Sequence, residues 1–146
     1  MAMNPVKSKL REGKPVFGAV MATPSLGNMQ VLSRSGLDWV WIDMEHGPIN
    51  LESAHALILA TQGTPAIPIV RIPWKEEWMA KRVMDAGAMG VVFPFIKTRE
   101  EAEAAEEQKP HETAKNSNSF FIIPLLWFLT FLRSGPTSAA ASFSFP

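Results

Sequence analysis

Between residues 16 and 105, short apolar runs alternate with segments of helical periodicity, and this alternation restricts the fold more than any other feature of the chain. Residues 16–22 read as a first strand. Thr23 is placed to cap a helix and Pro24 suits the first helical position, where a missing N–H costs nothing. Leu26, Met29 and Leu32 then recur at helical spacing until Gly36. Residues 38–43 are nearly all apolar between two acids, as expected of a strand covered on both faces. A turn at Glu45, His46, Gly47 and Pro48 leads into a second helix over 51–62, with Leu51, Ala54, Leu57 and Ile58 on one face and Gly63 at its end. Residues 66–72 predict a third strand, although Pro68 inside it removes a ladder hydrogen bond. A third helix is predicted over 74–86. Trp78, Met79, Val83 and Met84 face inward, Glu77 and Lys81 pair outside, and Gly87 closes the helix. The fourth strand spans 90–96, and Thr98 with Glu101 forms the capping box of a fourth helix.

Four βα units in succession imply a parallel sheet with right-handed crossovers. Such a sheet belongs either to a doubly wound fold or to part of a barrel. No G-x-G-x-x-G follows the first strand, which weighs against dinucleotide binding. The 146 residues fall short of the roughly 250 of a complete eight-fold barrel. After about Ala105 the composition changes. Residues 106–119 are polar and patternless, 120–132 are apolar and aromatic but interrupted by Pro124, and 134–146 are Ser/Ala/Pro-rich. The expected organisation is a βα unit array over 1–107 and an irregular tail over 108–146, with at most a short helix near 125–132. The apolar run is shorter than the ~20 residues of a spanning helix, so no membrane segment is expected.

Lys plus Arg and Asp plus Glu number 14 each, so bulk charge gives no reason to expect a nucleic-acid partner. Cysteine is absent, which removes disulfides, thiolate metal sites and thiol nucleophiles. The N-terminal residues are polar, lack the apolar core of a signal peptide, and carry Glu12 early; a cytoplasmic location is expected.

In βα barrels, catalytic groups gather at the C-terminal ends of the strands. Here the second strand ends in Asp43, followed by Glu45 and His46, and the third ends at Arg71. Histidine has the side chain best suited to proton transfer near neutral pH. Asp43 lies three residues before His46, within reach of its ring across a turn. Arg71 offers a planar fork for a carboxylate or an oxyanion. A base beside an arginine clamp suits chemistry on an oxo acid. The residues alone equally fit a structural ion pair and a histidine bonded to backbone. Trp39, Trp41, Trp74 and Trp78 read as packing residues, His55 as a helix-surface residue, and Glu45 as either a solvated turn acid or a group near a metal-bound water.

The stretch from Gly18 to Ala105 resembles the 4-hydroxy-2-oxoheptanedioate aldolase family, also called the HpcH/HpaI aldolase/citrate lyase family. The resemblance is carried by residues 36–47, with their D-W-x-x-I-D-x-E-H-G run, by Val70 and Arg71, by residues 84–94, and by Thr98, Glu100, Glu101 and Ala102. It implies a pyruvate-kinase-like (β/α)8 barrel, of which this chain carries about four units. It also implies a carbon–carbon lyase that cleaves a 4-hydroxy-2-oxo acid to pyruvate and an aldehyde, using a divalent metal such as Mg, Mn or Co, in a homo-oligomer. By that resemblance His46 is the general base, Arg71 holds the pyruvate oxygens and the enolate charge, Asp85 raises the basicity of His46, and Asp43 positions it. The family's metal-binding Glu and Asp lie on strands five and six, which have no counterpart in this sequence. Little or no aldolase activity is therefore expected of this chain. The alternative reading is a non-catalytic truncated or mispredicted gene product that at most associates with intact subunits.

Overall fold

The computed structural model describes residues 4–107 and 121–124. In chain order the elements are α1 (Pro5–Arg11), β1 (Gly18–Met21), α2 (Leu26–Arg34), β2 (Trp39–Asp43), α3 (Leu51–Ala60), β3 (Ile67–Arg71), α4 (Glu77–Asp85), β4 (Gly90–Phe93), α5 (Arg99–Glu107) and β5 (Phe121–Pro124). All strand pairs are parallel and the sheet order is β1-β2-β3-β4-β5. A doubly wound sheet reverses its strand order at a switch point. This sheet advances in one direction, as a barrel does.

The fifth strand corrects the expectation of four. It lies within the segment read as an irregular tail, and its Phe121 and Pro124 register with Gly90 and Phe93 of β4. The expected short helix near 125–132 falls outside the described residues, as do 108–120 and the Ser/Ala/Pro stretch. No helix among the described residues is long and apolar enough to cross a membrane.

Side-chain alternation gives the sheet two faces. On the outer one, Met21, Val40, Ile42, Val70, Val91 and Phe93 pack against Met29, Leu57, Ile58, Ala80, Val83 and Met84 from the helices. On the concave one, Trp41, Ile67, Ile69 and Val92 cluster with Val6, and Leu10, Val16, Trp39 and Met89 pack around them. Val6 and Leu10 come from α1, so this first helix covers part of the concave face. Asn4 anchors it. Its side-chain oxygen accepts from the N–H groups of Val6 (3.1 Å) and Lys7 (3.3 Å), while its amide nitrogen donates to the carbonyl of Met89 at 3.1 Å. Lys9 pairs with Asp38, which also accepts from the Phe17 N–H at 2.9 Å. Burial works to raise the Asp38 pKa, but the Lys9 hydrogen bond, the Phe17 N–H and the Lys9 charge together hold it below its ordinary value.

Local chemistry accounts for the element boundaries. Ser25, rather than Thr23, caps α2 by accepting from the Asn28 N–H. Asn50 caps α3 in the same way through the Ser53 N–H at 2.8 Å. The Thr98–Glu101 capping box forms as predicted, with the Glu101 N–H donating to Thr98 Oγ1 and the Thr98 N–H to Glu101 Oε2. Pro68 is tolerated because β3–β4 pairing begins one residue later, at Ile69 and Gly90. The Pro68 carbonyl accepts from the Met89 N–H, and the missing donor would face that same margin. Helix α4 starts at Glu77, three residues later than predicted, and Met79, Val83 and Met84 pack inward as predicted. Ala80, Val83 and Met84 are buried, whereas Trp74 and Trp78 are exposed rather than packed. Leu26 is likewise exposed.

Gly18 is fixed by a close approach. A Cβ at this position would stand 2.0 Å from the ring of Trp39, its register partner on β2. Gly18→Ala is expected to lower the unfolding free energy by about 1–3 kcal/mol through forced displacement of that ring. Urea denaturation checks this, and coincident midpoints for the two proteins would show that the contact is not constraining.

Candidate active site

Strands β2 and β3 run in register so that Asp43 and Arg71 stand side by side at their C-terminal ends, on the same face as Trp41 and Ile69. The Arg71 fork closes on Asp43, with Nε at 3.0 Å from Oδ1 and Nη2 at 2.5 Å from Oδ2. Its guanidinium carbon lies 5.4 Å from the centroid of the Trp41 ring, a cation–π contact that supports the plane from below. The remaining terminal nitrogen, Nη1, stands 3.1 Å from Glu45 Oε2. That oxygen is buried and receives no directed hydrogen bond, so the contact with Arg71 is one of charge rather than of donor geometry. One cation thus faces two carboxylates, and the three side chains are 13%, 6% and 10% exposed for Arg71, Asp43 and Glu45 respectively.

Asp43 also shapes the loop that follows it. Its Oδ1 accepts from the N–H groups of Glu45 (3.0 Å) and His46 (3.2 Å). The carboxylate therefore serves strand, turn and arginine together. Burial acts to raise its pKa, but the Arg71 hydrogen bond, the two backbone donors and the Arg71 charge outweigh it and hold the carboxyl below its ordinary range. Gly47 lets this turn approach the end of β1, since a Cβ there would meet the Ala22 carbonyl oxygen at 2.5 Å.

The structure brings together three of the four residues singled out in the sequence. His46 follows the Asp43 turn with its side chain 71% exposed and its Nε2 3.9 Å from Glu45 Oε1. Asp43 accepts from the His46 backbone N–H and so holds the turn that carries the ring. Asp85 departs from the group. It is the last residue of α4, a helix that runs back from the strand ends, and it lines a groove of about 620 Å³ between α3 and α4 with Glu52, His55 and Arg82. Neither His46 nor Arg71 lines that groove, so within one chain Asp85 does not share their face. Glu45 is the residue that sequence reasoning undervalued. A turn acid is ordinarily solvated, and only the register of β3 shows Arg71 reaching across to it.

The Asp43–Arg71 pair yields a stability test with a defined sign. A carboxyl whose folded pKa lies below its unfolded value contributes stability in full above the unfolded pKa and loses it as pH falls through the folded one. Asp43→Asn leaves Arg71 short of its partner and is expected to cost about 3 kcal/mol at neutral pH. The gap between the two proteins should close as pH drops from about 7 to about 2, because protonation then removes the same charge from the unmodified chain. Thermal melts across that range measure it, and a gap independent of pH would contradict the assignment.

Comparison with known proteins identifies the family and the fold. Residues 22–123 match the HpcH/HpaI aldolase/citrate lyase family. The chain is 39% identical over 104 residues to a hydroxypyruvate/pyruvate aldolase of Paraburkholderia phytofirmans, covering 70% of this chain and 40% of that protein. It is 32% identical over 102 residues to a 5-keto-4-deoxy-D-glucarate aldolase of Escherichia coli, with the same 70% and 40% coverage. Among solved structures, an HpcH/HpaI aldolase/citrate lyase family protein from Burkholderia cenocepacia superposes with a TM-score of 0.70 at 27% identity, covering 97% of this chain and 57% of that one. The citrate synthase SbnG superposes with a TM-score of 0.64 at 35% identity, covering 70% of this chain and 42% of that one. The chain therefore spans about 40% of the length of the curated relatives it matches. Its five parallel strands are part of a (β/α)8 barrel, and the chain belongs to the HpcH/HpaI aldolase/citrate lyase family.

Proposed function

We propose that the strand-end cluster is the oxo-acid end of an aldolase site of the kind at which a 4-hydroxy-2-oxo acid is cleaved to pyruvate and an aldehyde, and that this chain by itself, spanning about 40% of its relatives' length, turns over little or none of it. The observation that carries this reading is the Arg71 guanidinium, held nearly buried between Asp43 and Glu45 beside the exposed ring of His46. The pyruvate aldolases among its relatives support the substrate class.

Arg71 has five N–H donors. Two go to Asp43 and one faces Glu45, which leaves one on each terminal nitrogen for the oxygens of an oxo acid. A fork fixed in this way needs no reorganisation when negative charge develops on the enolate oxygen. His46 accepts the proton of the C4 hydroxyl. The C3–C4 bond then breaks, the aldehyde leaves, and the bonding electron pair passes into the enolate of pyruvate. Return of a proton to C3 completes pyruvate and restores the imidazole.

The family resemblance implies a divalent ion. Among the described residues, no group of three or more His, Asp or Glu is arranged to hold a metal ion. Glu45 Oε2 is a buried oxygen without a donor, but one such atom does not make a site. The described residues do not fit the ion by themselves, and no step above is routed through it. Within one chain Asp85 lines the outer groove between α3 and α4, and none of these steps is assigned to it.

Pyruvate binding tests the reading directly. Arg71→Lys keeps the charge and removes the fork, and it is expected to weaken pyruvate binding by about tenfold in calorimetry. Lactate, which lacks the oxo oxygen, is expected to bind the unmodified chain more weakly than pyruvate. Equal affinity for lactate and pyruvate, or an Arg71→Lys chain that retains the fold and the full pyruvate affinity, would remove the basis for the assignment.

A further inference from the structure

Two aromatic rings in the loops after β3 and β4 are exposed to solvent, and one of them stands on an unfavourable backbone conformation. Phe95 has φ of +59°, the one positive φ at a non-glycine position among the described residues. A bulky side chain rarely adopts this region. Its neighbours Pro94 and Ile96 are buried, while Phe95 is 47% exposed. The left-handed turn thus leaves one ring exposed between two buried residues, where a regular backbone needed no such strain. Strain of this kind is concentrated at ligand contacts.

The ring has a partner from the neighbouring loop. Trp74, 61% exposed, meets Phe95 edge-on, with centroids 5.5 Å apart and an interplanar angle of 60°. Lys75 pairs with Glu101 at 2.6 Å, and the other oxygen of Glu101 accepts from the Lys97 N–H at 2.7 Å. The loops after β3 and β4 are therefore tied to each other twice, once by rings and once by charge. The Lys75 hydrogen bond is the largest influence drawing the Glu101 carboxyl down to about 2, so this tie persists across the neutral range.

Chain length limits how far the ring-bearing residues can stand from the clamp. Trp74 follows Arg71 by three residues, and Phe95 follows Val92, the register partner of Arg71, by the same interval. Each ring-bearing Cα accordingly lies within about 11 Å of its strand-end position. An oxo acid gripped by its carboxylate and oxo oxygen carries its fourth and later carbons about 5–8 Å from that grip, as standard bond lengths require.

We propose that Trp74 and Phe95 form the acceptor subsite, contacting the substituent of the aldehyde, and that they favour an aryl or apolar aldehyde over a polyhydroxylated one. The proposal rests on the oxo-acid reading of Arg71 and adds the other end of the substrate. Edge-to-face rings offer a slot for an apolar group. Lys75, the cation nearest in sequence, is already engaged by Glu101.

Ligand-observed NMR titrations of the 146-residue chain with benzaldehyde and with glyceraldehyde test it. Benzaldehyde is expected to bind about tenfold more tightly than glyceraldehyde. Trp74→Ala and Phe95→Gly are each expected to weaken benzaldehyde about fivefold or more, with Trp74→Phe restoring most of the loss. Phe95→Gly should not lower the melting temperature, since glycine adopts positive φ freely. That variant separates loss of the ring from loss of the fold. Trp78→Ala, which removes an exposed ring outside the pair, should leave benzaldehyde affinity unchanged. Benzaldehyde affinity unmoved by Trp74→Ala and Phe95→Gly, moved equally by Trp78→Ala, or no better than glyceraldehyde affinity would overturn the subsite. A parallel pyruvate titration judges the oxo-acid reading separately, because it reports on Arg71 and not on the rings.

Discussion

The pairing of Asp43 with Arg71 is the interaction on which the upper end of this molecule depends. It joins β2 to β3 at their last register pair, beside the backbone bond from the Met44 N–H to the Arg71 carbonyl, fixes the plane of the guanidinium, and sets the turn through Glu45 and His46 by way of two N–H groups. A buried ion pair is a poor source of net stability, because desolvation offsets most of the attraction. Its benefit here lies in position. Glu45 adds a second carboxylate without a hydrogen bond to match it, which leaves the cluster with one more negative charge than positive. An arrangement optimised for stability alone would not bury that oxygen.

The rest of the chain supplies the rigid frame this pair needs. A parallel sheet is stable when both faces are covered. Helices α2 to α4 cover the outer face, while α1, pinned by Asn4 and by the Lys9–Asp38 pair, covers part of the concave one. The Trp41 ring belongs to that concave cluster and lies beneath Arg71, so packing at the lower part of the sheet is transmitted to the clamp at its upper end. Trp39 fills the space that Gly18 leaves on the edge strand.

Much of this was legible in the sequence, for reasons that particular residues make plain. The continuous apolar runs of β2 to β4 and the glycines at 36, 63 and 87, all with positive φ, mark strand and helix limits independently of tertiary context. Helix α1 carries a cap-and-proline signal in Asn4 and Pro5, but its seven residues show too little periodicity to stand out in the sequence. Strand β5, a four-residue apolar run ended by Pro124, has no period of its own, and its identity comes from register with β4. Asp85 was assigned to the site through resemblance to relatives, whereas the return of α4 away from the strand ends places it in the outer layer. Residue type marked Trp74 as a packing group. Its exposure follows from the later start of α4, which local sequence does not specify.

The central claim is that Asp43 holds the Arg71 fork in the geometry that receives an oxo acid. The Arg71 Nε–H resonance in a proton–nitrogen NMR spectrum reports on it directly, since that hydrogen lies in the bond to Asp43 Oδ1. At neutral pH it should be resolved and protected from solvent exchange. It should shift when pyruvate is added, and it should disappear into fast exchange in the Asp43→Asn chain. An Arg71 Nε–H that exchanges as quickly as those of exposed arginines, or that stays unmoved at saturating pyruvate, would contradict the account.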